Sequence, residues 1–112
     1  MRAYGKCRTF LFTVMGFRDV RGLLIDALEC GRYQHEYRSD METKNLLAVG
    51  DVTPEFVAAL LKRCGGGDYR ASPYHFDRSI VCHTFTPVLE GERWYVKAYF
   101  LSLDAVFISV HQ

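Results

Sequence analysis

The fold is decided by the stretch that contains SIVCHTFTP (79–87), WYVKAYFL (94–101) and VFISVH (106–111). Each run has the β-branched and aromatic content typical of a strand, and short polar turns separate the runs. Side chains alternate between the two faces of a strand, so every second residue of the middle run is predicted to enter the core. Those apolar residues are Trp94, Val96, Ala98 and Phe100.

The other face of the middle run is the most informative feature for function. Tyr95, Lys97 and Tyr99 offer a cation, hydroxyl donors and aromatic surfaces on one rigid platform. Such a combination suits a phosphodiester and its bases. The alternative is structural: a solvated lysine on an edge strand, flanked by tyrosines that are half-buried on the sheet.

The first half of the chain predicts two helices. Asp19 is expected to cap a helix over residues 20–30, which has one apolar stripe and a C-cap glycine, Gly31. A Thr-Pro pair at 53–54 marks the start of a second helix, which runs to Cys64 and ends at three glycines. Helices followed by an antiparallel meander predict an α+β fold, with two helices packed on one face of a small antiparallel sheet.

Three other segments are predicted to be less regular. Residues 6–15 alternate loosely and are typical of a strand or an ordered arm. Residues 32–42 are typical of a short edge strand or a loop. Residues 68–77, which follow the glycines, are predicted to form a loop.

Length, composition and charge limit the class of protein. With 112 residues and 49% hydrophobic side chains, the chain is long enough for one folded domain and too apolar for a disordered segment. Its net charge of +1 means that any contact with RNA must come from a local basic patch. No stretch approaches the roughly 20 apolar residues of a membrane span, so we expect a cytoplasmic location and no membrane partner.

Four cysteines lie far apart in the sequence: Cys7, Cys30, Cys64 and Cys82. They form no CxxC pair, whereas a zinc site usually has closely paired ligands and a disulfide framework belongs to secreted chains. We therefore expect free, mostly buried thiols. His75 and His83, with Cys82 nearby, match no common zinc spacing, so neither a metal nor another cofactor is predicted.

Candidate residues for metal-free cleavage of RNA follow from what the reaction needs. A base must take the 2′-hydroxyl proton, cations must stabilise the phosphorane, and an acid must protonate the leaving oxygen. Arg70 and Lys97 supply cations, and Tyr95 can hold the phosphate or stack on a base. His75 and His83 titrate near neutrality and can move protons. The alternatives are a solvent-facing Arg70 and a His83 that is buried in the core.

The length of the turn before the middle strand decides whether a histidine reaches this site. If Glu90 and Gly91 form a two-residue turn, Thr84 lies opposite Lys97. One extra loop residue brings His83 opposite Lys97 instead, because a shift of one residue exchanges the two faces of a strand. We predict the longer loop and the participation of His83.

The order of these motifs resembles that of the MqsR family of bacterial toxins, which are small RelE-like endoribonucleases. The corresponding segments are DYRAS (68–72), IVCHTFTP (80–87), the turn glycine Gly91, YVK (95–97) and FISV (107–110). They match the family's loop after the second helix, its next strand, its glycine turn, its Tyr-x-Lys strand and its final strand. The match covers residues 17–112 and leaves residues 1–16 as an N-terminal extension or an extra strand.

The resemblance implies a single RelE-like domain over residues 1–112 and the toxin function of a type II toxin–antitoxin system. It implies a metal-independent endoribonuclease that cleaves single-stranded mRNA to arrest growth, with a cognate antitoxin as partner. The antitoxin segment is expected on the exposed sheet face or along the final strand, at residues 106–110. The alternative is a non-catalytic RNA- or protein-binding module on the same scaffold.

The resemblance also assigns roles to residues. Arg70 takes the place of the family's catalytic loop lysine, Tyr95 that of its catalytic tyrosine, and Lys97 completes the Tyr-x-Lys pattern. Cys82 and His83 replace a glutamine and an aspartate of the family's strand. The predicted catalytic residues are Arg70, His83, Tyr95 and Lys97. The predicted RNA-binding residues are His75, Arg78, Tyr99 and Arg93.

Overall fold

The computed structural model describes residues 16–36, 44–102 and 104–112. The extension or extra strand predicted over residues 1–16 lies outside the described residues, apart from Gly16. The strand or arm predicted at residues 6–15 lies outside them as well.

The first helix, α1, spans Phe17–Cys30 and buries one apolar stripe against the rest of the chain. The helix starts before Asp19, so the prediction that this residue caps it is wrong. Asp19 lies in the first turn, where its Oδ2 accepts a hydrogen bond from the Gly16 amide at 3.5 Å. A carboxylate there complements the positive end of the helix dipole. Gly31 has φ 76° and is the predicted left-handed C-cap.

The second helix, α2, spans Pro54–Lys62 and begins as predicted. Thr53 Oγ1 accepts a hydrogen bond from the Phe56 amide at 3.0 Å. The proline occupies the first turn, where its missing amide proton costs nothing. The helix stops short of Cys64, and a 3₁₀ turn at Gly66–Asp68 follows. Among the described residues, no helix has the length and apolar character that crossing a bilayer requires.

The described residues form seven strands, which in chain order are β1 (Tyr33–His35), β2 (Tyr69–Pro73), β3 (Val81–Phe85), β4 (Val88–Leu89), β5 (Glu92–Arg93), β6 (Tyr95–Leu101) and β7 (Asp104–His111). One sheet has the order β1-β7-β6-β3-β2, and β4 pairs with β5 in a second, two-stranded sheet. The predicted three-stranded meander is confirmed as β3, β6 and β7, which pair antiparallel. Strand β1 pairs parallel with β7, so the larger sheet is mixed rather than purely antiparallel.

Strand β2 corrects the prediction of a loop over residues 68–77. It pairs antiparallel with β3 along its whole length, from Tyr69 opposite Phe85 to Pro73 opposite Val81. It forms one edge of the described sheet, and all of its residues after the first are exposed. A strand that buries so little shows no apolar alternation, which is why the pattern indicated a loop.

Both helices pack on one face of the larger sheet, and the main core lies between these two layers. The helices contribute Val20, Leu24, Ala27, Leu28, Val57, Leu60 and Leu61. The strands contribute Phe85, Val96, Ala98, Ala105, Phe107 and Val110. Burial of each large apolar side chain contributes about 1.5–3 kcal/mol. The predicted α+β class is confirmed for the described residues, as two helices on a mostly antiparallel sheet.

The final strand, β7, lies inside the sheet between β1 and β6. Residues 105–107 pair with β1, and Asn45 forms a bridge with Val110. Strand addition along residues 106–110 therefore finds no open side of β7, because β1 and Asn45 lie on one side and β6 on the other. Docking of an antitoxin segment on the exposed sheet face stays a prediction.

Candidate nucleic-acid interface

A tight turn fixes which side chains of β3 and β6 share a face. Leu89 pairs with Glu92 across Glu90 and Gly91, and the two turn residues have φ 52° and 83°. Two positive φ values in a two-residue turn match the right-handed twist of the flanking strands. Gly91 adopts this conformation without the steric cost that a Cβ brings. The prediction of a longer loop is therefore wrong.

The two-residue turn places Thr84, and not His83, opposite Lys97. His83 lies opposite Ala98 on the helix-covered face, where 5% of its surface is exposed. A hydrogen bond of 2.8 Å joins its Nδ1 to Tyr69 Oη. Burial lowers the pKa of His83 to about 4, so its ring is neutral at physiological pH. The prediction that His83 stands with Lys97 is wrong, because the register sends its side chain to the opposite face.

Four side chains form a row across the sheet face opposite the helices: Arg70, Thr84, Lys97 and Ser109. Direct cross-strand partners point to the same face. Arg70 and Lys97 flank Thr84, so their Cα atoms lie two strand spacings, or about 10 Å, apart. Two long side chains can therefore meet above the threonine. We call this row, together with Tyr95 and His111 of the adjacent row, the Lys97 face.

An open concavity of about 200 Å³ adjoins the Arg70 end of the row, and its lining consists of Gly67, Asp68, Tyr69, Arg70, Thr84 and Thr86. The Arg70 side chain is exposed, and the Asp68 carboxylate accepts a hydrogen bond from the Gly65 amide at 2.9 Å. A guanidinium beside such a hollow can bind two phosphate oxygens through parallel N–H groups. Of the two cations in the row, Arg70 lines this concavity, and Lys97 lies on the other side of Thr84.

Tyr95 and His111 form the adjacent row on the same face. Their rings stack, with centroids 5.0 Å apart and planes inclined by 20°. Both side chains are half-buried. They lie one strand repeat, or about 7 Å, from Lys97 and Ser109. The structure thus brings Tyr95 beside Lys97, and it adds a histidine that sequence reasoning did not select.

A β-bulge brings His111 to this face. The register of β6 and β7 shifts by one residue next to Lys97, where Ile108 is the extra residue on β7. Without the bulge, alternation along β7 would send His111 toward the helices and Val110 to the Lys97 face. With it, Val110 is buried in the core and His111 lies opposite Tyr95. Alternation in the sequence carries no mark of the extra residue.

The Glu36 carboxylate binds two tyrosine hydroxyls at the Tyr99 end of this sheet face. Glu36 follows β1, and its Oε1 accepts hydrogen bonds from the hydroxyls of Tyr74 and Tyr99, the second at 3.0 Å. The two tyrosine rings pack with centroids 4.9 Å apart. Burial and the Glu36 carboxylate raise the pKa of Tyr99 to about 12. Tyr99, a predicted RNA contact, is only 8% exposed and packs mainly against protein.

Cys82 lies diagonally across from Lys97 and is fully buried. Burial raises the pKa of its thiol, the Lys97 ammonium lowers it, and the Glu36 carboxylate raises it. Both charges therefore lie within electrostatic reach of one thiol. The thiol is protonated at neutral pH and contributes packing to this face rather than a nucleophile.

The segment between β2 and β3 presents exposed aromatic and basic side chains, and its Tyr74 packs on Tyr99 of β6. His75 and Arg78, both predicted RNA contacts, are exposed there. Phe76 is 60% exposed, and its ring meets those of Tyr74 and His75 edge-on, with centroids 5.7 Å and 4.8 Å apart. An exposed aromatic ring can stack on a base. Phe76 was outside the predicted set, although the aromatic run YHF at 74–76 was an available signal.

Arg93, the remaining predicted RNA contact, lies near the same concavity as Arg70. Its Nη1 donates a hydrogen bond to the carbonyl oxygen of Thr86 at 2.8 Å, and Thr86 lines the concavity. The Arg93 side chain is exposed. It therefore places a positive charge next to a residue that lines the concavity.

Within the ranges that the structure describes, no three His, Cys, Asp or Glu side chains are grouped closely enough to hold a metal ion. No protein-family model matches the sequence, and no curated protein matches it. The geometry of the Lys97 face is therefore the main guide to function.

Proposed function

We propose that the Lys97 face binds single-stranded RNA and that the protein is a metal-independent endoribonuclease, the toxin of a bacterial type II toxin–antitoxin system acting in the cytoplasm. The observation that carries the proposal is the row in which Arg70 and Lys97 flank Thr84. Two cations on one rigid sheet face match the charge that develops on a phosphorane. Tyr95 beside them provides a hydroxyl that can donate to the phosphate and an aromatic surface for a base.

The proposed reaction is transesterification within the RNA. The 2′-oxygen bonds to phosphorus as the bond to the 5′-oxygen breaks, which leaves a 2′,3′-cyclic phosphate and a 5′-hydroxyl. One proton leaves the 2′-hydroxyl and one is delivered to the 5′-oxygen. Arg70 binds the phosphate oxygens in a bidentate manner, and Lys97 supplies a compact charge from the other side.

The motif order supports a place among MqsR-like, RelE-like toxins. As in that family, the segment at 68–72 comes first, the turn glycine Gly91 second and the Tyr-x-Lys strand third. Both helices lie on the sheet face away from Lys97. A cognate antitoxin would neutralise the protein by covering the Lys97 face, and an acidic segment would complement Arg70 and Lys97.

Purified protein incubated with mRNA in EDTA tests this proposal. The wild type should release fragments that end in 2′,3′-cyclic phosphate, and a Tyr95→Phe/Lys97→Ala variant should cleave at least 100-fold more slowly, since charge stabilisation of this kind is worth about that much or more. Glu29→Gln is the matched control, because Glu29 lies on α1 and pairs with Lys62 at 3.3 Å, away from the sheet face. Absence of cleavage by both wild type and variant would rule the nuclease out.

A binding module without catalysis is the second candidate. The observation that favours it is that Thr84, whose hydroxyl neither gains nor loses a proton near neutral pH, stands between Arg70 and Lys97. Expression in bacteria separates the two candidates. Growth arrest that a co-encoded neighbour relieves supports the toxin, whereas RNA binding with normal growth and intact RNA supports the binding module.

A further inference from the structure

The β-bulge in β7 changes the chemistry available on the Lys97 face. Bulges re-aim side chains and are over-represented next to active sites. Here the extra residue, Ile108, turns Val110 into the core and His111 outward, opposite Tyr95. The Lys97 face thereby gains an imidazole, the side chain that most often transfers protons in enzymes.

The hydrogen bond of the His111 ring defines which nitrogen can act. Nδ1 lies 2.9 Å from the main-chain oxygen of Gln112. A carbonyl oxygen only accepts, so Nδ1 carries the proton of the neutral ring and Nε2 has the lone pair. Stacking on Tyr95 at 5.0 Å holds the plane of the ring. The neutral ring is therefore oriented to accept a proton at Nε2.

We propose that His111 is the general base of this site, an inference that rests on the proposed ribonuclease activity. Nε2 of His111 takes the proton of the 2′-hydroxyl as the 2′-oxygen bonds to phosphorus. The bond to the 5′-oxygen breaks, and the Lys97 ammonium gives this oxygen a proton. Exchange with water then returns His111 and Lys97 to their starting protonation states, so the step needs no further reactant.

Several charged and titratable groups lie around His111. Tyr95 stacks on the ring from β6, and Lys97 lies in the adjacent row. Glu92 Oε1 of β5 accepts a hydrogen bond from the side-chain Nε2 of Gln112 at 2.9 Å, and the Lys44 carbonyl oxygen accepts one from the Val110 amide. A substitution of one of these groups is expected to shift the acidic limb of the pH–rate profile along the pH axis, whereas removal of the general base is expected to abolish that limb.

The test is the pH profile of kcat/KM on a short single-stranded RNA, for the wild type, His111→Ala and His111→Gln. A lost general base lowers the rate by about 10²–10⁴-fold. We expect that loss in both variants, with the acidic limb of the profile gone. Added imidazole should restore part of the rate of His111→Ala, where it can occupy the vacated space, but not that of His111→Gln. Thermal unfolding checks that both variants are folded, and Glu29→Gln serves as the active control.

Three results would overturn the proposal. Wild-type rate in both folded variants excludes a role for His111. A loss of rate that leaves the acidic limb unchanged and does not respond to imidazole assigns His111 a structural role. Absence of cleavage by the wild type at every pH removes the ribonuclease itself, whereas the first two results leave that activity standing and remove only the base.

Discussion

Tyr69 Oη and His83 Nδ1 are joined by a hydrogen bond of 2.8 Å on the helix-covered face of the sheet. Their rings are also nearly parallel, with centroids 5.9 Å apart. This pair accounts for a histidine at a position where the alternation pattern places a core residue. It also makes the stability of the protein sensitive to acid.

The free energy of unfolding should fall as the pH falls from about 6.5 to 4. The His83 pKa is depressed to about 4 in the folded state, so over this interval the unfolded chain binds a proton that the folded protein does not. The loss amounts to up to roughly 3 kcal/mol. His35, whose pKa burial also lowers, adds to the loss in the same direction.

Urea unfolding of His83→Phe at several pH values checks this prediction. The variant should lose much less stability than the wild type between neutral pH and pH 4, and the exposed-site control His75→Gln should keep the full dependence. Equal losses in His83→Phe and the wild type would contradict the assignment of the low pKa to His83.

Removal of the Tyr99 hydroxyl should destabilise the protein by about 1.5–3 kcal/mol, the range for a hydrogen bond to a charged group. The hydroxyl donates to Glu36 at 3.0 Å on a mostly buried side chain. A double-mutant cycle of Tyr99→Phe and Glu36→Gln measures the coupling directly. Tyr95→Phe is the control with a more exposed ring and is expected to change stability by less than about 0.5 kcal/mol. Additive effects of Tyr99→Phe and Glu36→Gln would contradict the bond.

Thiol labelling should distinguish the described cysteines by their burial. Cys30 is exposed, whereas Cys64 and Cys82 are buried. Burial and the Asp68 carboxylate raise the pKa of Cys64 to about 11, and burial raises that of Cys82. In a Cys7→Ser background, a thiol reagent should therefore label Cys30 quickly, and it should label Cys64 and Cys82 only on unfolding. Fast labelling of Cys82 in the folded protein would contradict its complete burial among the strands.

The affinity for single-stranded RNA should depend on salt through Arg70 and Lys97. Each cation that neutralises a phosphate adds about 0.7 to the slope of log K against log salt for single strands. Fluorescence anisotropy should therefore give a weaker and flatter dependence for Arg70→Ala and Lys97→Ala than for the wild type. Lys62→Ala, which removes an exposed cation on α2, is the matched control. Identical slopes for all four proteins would exclude phosphate contacts by Arg70 and Lys97.

Much of the architecture could be predicted because strands show alternating apolar and polar residues and helices begin and end at capping residues. The division of β6 into a buried and a polar face follows from its residues, and Thr53 and Pro54 define the start of α2. Strand β2 was missed because an exposed edge strand has no apolar face to reveal it. The same limitation applies wherever pairing alone, without burial, makes a strand.

The candidate site was harder to predict because two local features of the backbone decide which side chains reach it. Arg70, Tyr95 and Lys97 were proposed from their chemistry and spacing, and the register places them on one sheet face, while their roles stay predictions. His83 was chosen wrongly, since a two-residue turn rather than a longer loop sets the register of β3. His111 was overlooked because a single-residue bulge reverses the faces at the end of β7. Neither the turn nor the bulge changes the pattern of apolar and polar residues in the sequence.

The most direct test of the central claim is an NMR titration of isotopically labelled protein with a short 2′-O-methyl RNA, which binds but cannot form a cyclic phosphate. If the Lys97 face holds the RNA, the largest amide shift changes should fall on Arg70, Thr84, Lys97 and Ser109, and on Tyr95 and His111 beside them. Changes confined to α1 and α2, or no changes at all, would contradict the account.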